Sequence, residues 1–299
     1  MDYRFGDITV ACTNTDRVMW PDSGITKGDM LAYYKDVAPL MVPELRGRPL
    51  SVVRFTKGID KGGFFQKHYQ KHFPAWLDKV ELGSKTRVTY PIVDDAAGLV
   101  YMANQGSIDF HICTSRKGSL TKPDEIVFDL DPPEGNFELV RQTARLLGEL
   151  LLELGLPRFI KTTGGKGLHI VSPLDRTAGF DEVNALCGRI AKLLSTRHPD
   201  IITTEFYKKD RKGRLYFDTG RNVMGATFVT AYSLRGRPSA PVSAPIEWAE
   251  LDDPAMRPDA FHLRVMRARL DQRGDPWRAL RAREGSIAGA AAALRHLEG

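Results

Sequence analysis

Residues 125–173 read EIVFDLDPPEGNFELVRQTARLLGELLLELGLPRFIKTTGGKGLHIVSP, and the fold class turns on this stretch. EIVFDLD is apolar enough for a buried strand, and Pro132-Pro133 ends it because proline cannot donate to a ladder. NFELVRQTARLLGELLLELG then reads as a helix, from an Asn136 cap to a Gly155 stop. RFIKTT and GLHIVSP follow as two strands around a Gly-rich turn, the pattern of a hairpin. Downstream, DEVNALCGRIAKLLSTRH is an amphipathic helix beginning near Asp181, and GRLYFD and ATFVTAYS read as strands. From residue 120 onward the order is strand, helix, strand, strand, helix, strand, strand. A hairpin among single helices predicts an α+β sheet with helices on one face.

Upstream, TKGDMLAYYKDVAPLMVPEL predicts a helix capped by Thr26, with Met30, Leu31, Tyr34, Val37 and Ala38 on one face. PLSVVRF and SIDFHIC are strand-like. SIAGAAAALRHLEG at the C-terminus is a short helix or a frayed end, and RPSAPVSAP reads as a surface connector. No repeat or clean boundary is visible. The expected plan is one domain over residues 1–288: an N-terminal α/β sub-module of about 1–120, a catalytic core of about 121–250, and a helical segment after 250. Residues 289–299 are expected to be a tail.

The 299 residues are 42% hydrophobic and 27% charged, which argues against wholesale disorder. No run approaches the ~20 apolar residues of a membrane span, and MDYRFGDITV lacks the apolar core of a signal peptide. A cytoplasmic, nucleoid-associated protein with no membrane partner is expected. Cys12, Cys113 and Cys187 are too scattered for a disulfide framework or a CxxC zinc site.

The net charge of +6, from 43 Lys+Arg against 37 Asp+Glu, is modest, but it is unevenly spread. Residues 54–72 carry Arg54, Lys57, Lys61, Lys67 and Lys71 against Asp60, interleaved with Phe64, Phe65 and Tyr69. Residues 203–237 carry eight basic groups against Glu205, Asp210 and Asp218. Either cluster alone suits a solvated loop; together with glycines and aromatics they suit phosphate contacts beside a base-stacking platform.

On a strand, residues two apart share a face, so Asp129 and Asp131 stand side by side at the end of an apolar run. Two carboxylates held there are costly unless a cation neutralises them, and hard ions such as Mg²⁺ or Mn²⁺ take such oxygens. The plainer alternative is a pair that caps the strand before the Pro-Pro turn. Asp218 ends a second apolar run before Thr219-Gly220, and is either a third ligand or a structural cap. Three such aspartates suit two metals in phosphoryl or nucleotidyl transfer. In TTGGKGLH, Gly164 and its neighbours let the backbone approach phosphate oxygens, Thr163 offers a hydroxyl, and Lys166 a charge. It is neither a Walker loop nor a dinucleotide fingerprint, because a strand follows it. His169 and His111 are each either core histidines or nucleotide ligands.

The order DLDPP, TTGGKGLH, FDTGRN and ATFVTAYSLRGRPSAPVSAPIEW, with TDRVMWP, TKGDMLAYY, GFFQKH and NQGSIDFH upstream, resembles the polymerase domain of bacterial DNA ligase D, in the archaeo-eukaryotic primase superfamily. The likeness runs over roughly residues 5–285. It implies a primase-polymerase core, an antiparallel sheet of RNA-recognition-motif type with helices, packed on an N-terminal α/β sub-module. It further implies a template-dependent nucleotidyltransferase that fills short gaps and extends ends in non-homologous end joining or excision-type repair. The resemblance also implies the preference for ribonucleotides and Mn²⁺ often found in that family. By resemblance, Asp129, Asp131 and Asp218 are the metal triad for two divalent ions, Mn²⁺ or Mg²⁺. Thr163, Gly164, Lys166 and His169 belong to the triphosphate loop, with His111 and Arg235 near the nucleotide, NTP or dNTP. Lys27 matches a lysine that grips a downstream 5′-phosphate, and Arg17 stands where a second lysine is usual. Phe64 and Phe65 match template-stacking aromatics, and Arg54, Arg221 and Asn222 fall in DNA-contact motifs.

Departures are Thr163 for Ser, Arg221 for Gln in D-x-x-Q-N, and Arg54-Phe-Thr-Lys-Gly58 for R-x-P-x-G. The partners implied are gapped or broken DNA with a 5′-phosphate, a DNA ligase and an end-binding repair protein. Two other readings compete: a metal-dependent nuclease and a non-catalytic end-binding module that recruits a ligase.

Overall fold

A computed structural model describes residues 1–83 and 86–298. The two main sheets are built from β1 (Leu50–Arg54), β2 (Phe64–Gln66), β3 (Ser107–Cys113), β4 (Glu125–Leu130), β5 (Phe159–Thr162), β6 (Leu168–Pro173), β7 (Thr227–Val229) and β8 (Pro245–Ile246). Their orders are β7-β3-β1-β2 and β4-β6-β5-β8, with every pairing antiparallel. The helices are α1 (Lys27–Leu45), α2 (Ala96–Asn104), α3 (Phe137–Glu153), α4 (Phe180–Arg197), α5 (Leu263–Arg273) and α6 (Ile287–Leu297). This is the α+β plan expected, and β5–β6 is the expected hairpin.

Strand alternation explains how the sheets stack. On β4, Ile126, Phe128 and Leu130 enter one core with α3 and α4, as do Ile160, Leu168 and Ile170 of β5 and β6. Val127, Phe159 and Val171 point the other way, into the core built on the first sheet and on α1 and α2. Each second-sheet strand therefore has a helix face and a face toward the first sheet.

Local signals set the helix ends. Thr26 Oγ1 accepts from Asp29 N, and the Asp29 carboxylate accepts from Thr26 N, a capping box. Asn136 accepts from Leu139 N to start α3. α2 was not apparent in the sequence because it is buried nearly all round and shows no polar face.

Three expectations need correction. The C-terminal stretch is a docked helix rather than a tail: Ile287, Ala290 and Leu294 of α6 are buried in the α3–α4 core, and Gly299 lies outside the described residues. GRLYFD is a strand only over Leu215–Tyr216, paired in parallel with Ile202–Thr203; Asp218 reaches β4 through a single bridge to Asp129. The N-terminal sub-module does not close near residue 120, because β7 completes its sheet and Tyr232, Leu234, Met266 and Trp277 fill its core. No helix among the described residues is long and apolar enough to cross a membrane.

The two sheets are bolted together at one end by Arg48, which is fully buried. Its guanidinium lies 2.7 Å from both Asp124 and Glu125, at the start of β4. It also donates to the carbonyls of Glu44 on α1 and Cys113 on β3. Burial pushes Glu125 up to about 7 against the pull of Arg48. Burial would raise Asp124 as well, but Arg48 and Arg116 override it and hold its carboxyl below the usual range. Removing the cation would leave buried carboxylates uncompensated. Arg48→Met is expected to cost about 3–5 kcal/mol in urea unfolding; a loss below about 1 kcal/mol would show that the cluster relaxes without its cation.

Candidate active site

Asp129 on β4, His169 on β6 and Lys161 on β5 are directly opposite one another in register. All three lie on the strand positions that face the first sheet, so a polar row crosses an otherwise apolar face. His111 and Asp109 of β3 stand two apart on the opposing sheet. Between the sheets lies a cavity of about 160 Å³, lined by His111, Asp129, Asp131, Thr163, Lys166, His169, Arg221, Arg235 and Arg237, among others.

Asp129 is 7% exposed and both its oxygens are occupied. His169 Nε2 is 3.2 Å from Oδ1. Arg221 donates to Oδ2 from Nε at 3.0 Å and Nη2 at 2.9 Å. Burial would raise this carboxyl, but His169 and Arg221 outweigh it and hold Asp129 well below the ordinary range. Asp131, just past the strand end, is pushed up by burial and by the neighbouring Asp129 charge. Burial, with Lys161 adding, holds His169 down to about 4, so this imidazole beside Asp129 is neutral. Burial and Arg235 likewise hold His111 down to about 3. His111 Nε2 and His169 Nδ1 are buried without hydrogen-bond partners.

The glycine loop is shaped by close approach. A Cβ on Gly167 would sit 2.0 Å from the Leu130 carbonyl, so only glycine lets the loop pass the end of β4. Gly164 has φ +63°, and a Cβ there would meet Arg235 Cγ at 2.8 Å. Arg235 joins the sheets: Nε donates to Asp109 Oδ2 at 2.7 Å and Nη1 to the Thr163 carbonyl at 2.8 Å. Burial raises Asp109, with Arg235 pulling against it.

The structure thus gathers His111, Asp129, Asp131, Thr163, Lys166, His169, Arg221 and Arg235 at one site. Others it places differently. Asp218 Oδ1 accepts from Gly220 N in its own turn. Among the described residues no group of three or more His, Cys, Asp or Glu is close enough to hold a metal ion. The donor set still fits a hard divalent ion: three carboxylates share the end of β4 and its bridge, and Arg221 stands on Asp129 where a cation is wanted. Asn222, read with the DNA-contact set, is 1% exposed. Its amide donates to Val127 O and its carbonyl accepts from Val127 N, so it acts as a strand substitute and is closed to DNA.

Phe64 and Phe65 are 50% and 56% exposed on the edge strand β2. Arg54 lies under Phe64, its guanidinium 5.6 Å from the ring, and is committed to Gln66 and the Gln105 carbonyl, so it supports the platform. Phe65 lies edge-on to His111, ring centroids 6.2 Å apart, which connects the aromatic edge to the cavity. Lys27 is buried at the start of α1, its Nζ 2.7 Å from the Thr13 carbonyl. Arg17 is exposed and donates to the Thr56 carbonyl in the loop before Phe64.

Sequence reasoning missed Asp109, Arg237 and a second cleft. Asp109 was detectable as a charge two residues from His111 in an apolar strand. The cleft, about 660 Å³, shares Asp131, Gly165 and Lys166 with the cavity and adds Lys208, Arg211, Arg214, Tyr216 and Arg257. Its basic residues lie in the 203–237 cluster except Arg257 and Lys166, which only the fold brings in.

Residues 26–277 match the family model described as LigD, primase-polymerase domain. The multifunctional non-homologous end joining DNA repair protein LigD of Mycobacterium tuberculosis is 37% identical over 258 residues, covering 83% of this chain and 34% of that protein. The Pseudomonas aeruginosa LigD is 34% identical over 274 residues, covering 90% of this chain and 32% of that one. The chain thus spans about a third of the length of these relatives. The solved polymerase domain of Mycobacterium tuberculosis ligase D in complex with DNA superposes with a TM-score of 0.87 at 34% identity, covering 92% of this chain and 99% of that one. The chain belongs to the LigD primase-polymerase domain family.

Proposed function

We propose that this nucleotidyltransferase fills short gaps and extends ends on DNA during break repair, reading a template, gripping a downstream 5′-phosphate and preferring ribonucleotides. The observation that carries the reading is a single cavity lined both by the carboxylates Asp129 and Asp131 and by the cationic groups Lys166, Arg235 and Arg237. Carboxylates alone suit many hydrolases. Cationic groups in the same cavity suit a triphosphate, and that combination favours transfer over nuclease chemistry.

Asp129, Asp131 and Asp218 would hold two divalent ions, Mn²⁺ or Mg²⁺. When bound, such ions acidify a primer 3′-hydroxyl and neutralise phosphate charge. The chain's own residues do the rest. Lys166 and Arg235 bind and orient the triphosphate. His169, its Nε2 3.2 Å from Asp129 Oδ1, orients that carboxylate. His111 lines the same cavity and would stand near the nucleotide. Phe64 and Phe65 stack on template bases at the mouth, and Arg17 and Lys27 attract the 5′-phosphate from the same side. The basic cleft with Arg211, Arg214 and Arg257 carries the strand whose 3′ end enters at Asp131. A ligase and an end-binding repair protein would act on the same break.

The decisive experiment is extension across a 5′-phosphorylated gap, with NTPs against dNTPs and Mn²⁺ against Mg²⁺. Lengthening that needs a template and is faster with NTPs and Mn²⁺ is expected; shortening of the labelled strand would mean a nuclease. Asp129→Ala and Asp218→Ala are each expected to cut extension at least ~10³-fold with gapped-DNA affinity nearly unchanged, and normal extension by either would sink the triad. Lys27→Ala should weaken binding to gapped DNA roughly tenfold only when the 5′-phosphate is present. Equal weakening without the phosphate, in a fluorescence anisotropy titration, would contradict its role.

A further inference from the structure

Arg221 occupies an unusual place. Two of its nitrogens hold the carboxylate oxygen of Asp129 that faces away from His169, at 3.0 and 2.9 Å. Its third contact is a long one, Nη1 to the Thr227 carbonyl at 3.5 Å. The side chain is 41% exposed, whereas the carboxylate it covers is 8% exposed. The path outward is therefore open for the arginine and closed for the aspartate.

The next residue fixes the backbone. Asn222 is buried, and its amide makes a two-way pairing with Val127 on β4. A further bond from Asn222 to the Thr219 carbonyl closes the turn. The loop that carries Arg221 is thus anchored without help from the guanidinium. Arg221 can let go of Asp129 by rotating its own side chain, with no strand or turn displaced.

We propose that Arg221 is a tethered counter-ion for Asp129, which a divalent ion must displace, so that this side chain sets the metal affinity of the free protein. The inference rests on reading Asp129 as a metal ligand. A buried carboxylate left without its cation would be costly in the metal-free protein; the arginine removes that cost and in turn competes with the ion. Once displaced, the guanidinium remains in the cavity it shares with Lys166, Arg235 and Arg237. There it adds positive charge on the side that takes phosphates. Metal entry and polyanion binding thereby favour one another.

The test is a Mn²⁺ titration of the full chain, stripped of metal and free of nucleotide and DNA, read by electron paramagnetic resonance of unbound Mn²⁺. Arg221→Gln is expected to bind Mn²⁺ roughly tenfold more tightly than the wild type, since one competing unit charge is lost. Its melting temperature should fall in EDTA and be restored by Mn²⁺ more fully than that of the wild type. Unchanged or weaker Mn²⁺ binding overturns the proposal. In the wild type, Mg²⁺ should move the Arg221 Nε–H resonance from protected to rapidly exchanging, and a signal still protected at saturation also overturns it. Asp129→Asn separates the two levels. If it abolishes Mn²⁺ uptake while Arg221→Gln changes nothing, only the counter-ion role falls; if the wild type takes up no Mn²⁺, the metal reading falls and this proposal with it.

Discussion

The buried pair between Asp109 and Arg235 is the interaction on which the site depends. Asp109 is a 6% exposed carboxylate in the middle of a strand, accepting from Arg235 Nε and from Gly236 N. Desolvating such a charge is expensive, and separating it from its partner is more so. The first sheet therefore cannot slide away from the segment after β7 without exposing an unpaired ion. Arg235 spends its remaining reach on the Thr163 carbonyl, so the glycine loop of the second sheet is hung from the first. The glycine loop and the carboxylates of β4 lie on different strands, and this pair ties that loop to β3.

The gap is polar because strand alternation is interrupted on one face only. Asp129, His169 and Lys161 replace apolar residues at three adjacent register positions, while their neighbours Phe128, Ile170 and Ile160 remain in the helix-side core. Each replacement is made tolerable in a different way. Asp129 is ionised and covered by Arg221, and His169 is neutral. Lys161 is fully buried and held well below its ordinary range by burial and by Arg235, and its Nζ donates to Ser243 Oγ at 2.6 Å. Ser243 Oγ passes the chain on to the Thr162 carbonyl. A row that could have carried several bare charges therefore carries few, and the cost of burying it falls accordingly.

What was legible in the sequence was what local physics writes. Thr26 and Asn136 announce helix starts through their own side chains, and the DLD and TTGGKGLH stretches carry their carboxylates and glycines within a few residues. α2 was illegible for the opposite reason: Leu99, Val100, Met102 and Ala103 are all buried, so no solvent face marks a period. The run before Asp218 misled because a short apolar stretch resembles a strand, while the chain has only two paired residues and one bridge there. Asn222 misled because a polar residue in a functional motif is easily taken as a contact. Its partner, Val127, is 95 residues away, and no local pattern records it. Arg237 and Arg257 were missed for that reason too, since a cleft is a meeting of distant segments.

Thr163 shows how the geometry narrows a chemical role that composition leaves open. A hydroxyl offers one donor and two acceptor positions. Thr163 Oγ1 accepts from Gly165 N and Gly167 N, both at 3.2 Å, and donates to the Gly167 carbonyl at 3.1 Å. Its capacity is used within the loop, so it shapes the turn and has nothing left for a phosphate in this arrangement. Serine would make the same three bonds, and the extra methyl of threonine changes none of them. On the proposed reading the anion is left to Lys166, which is exposed at the loop tip, and to Arg235 and Arg237, which line the same cavity. The net +6 of the chain is small, yet at this site three positive side chains line one cavity with two aspartates, and it is that local concentration of both signs that suits a bound anion and cation together.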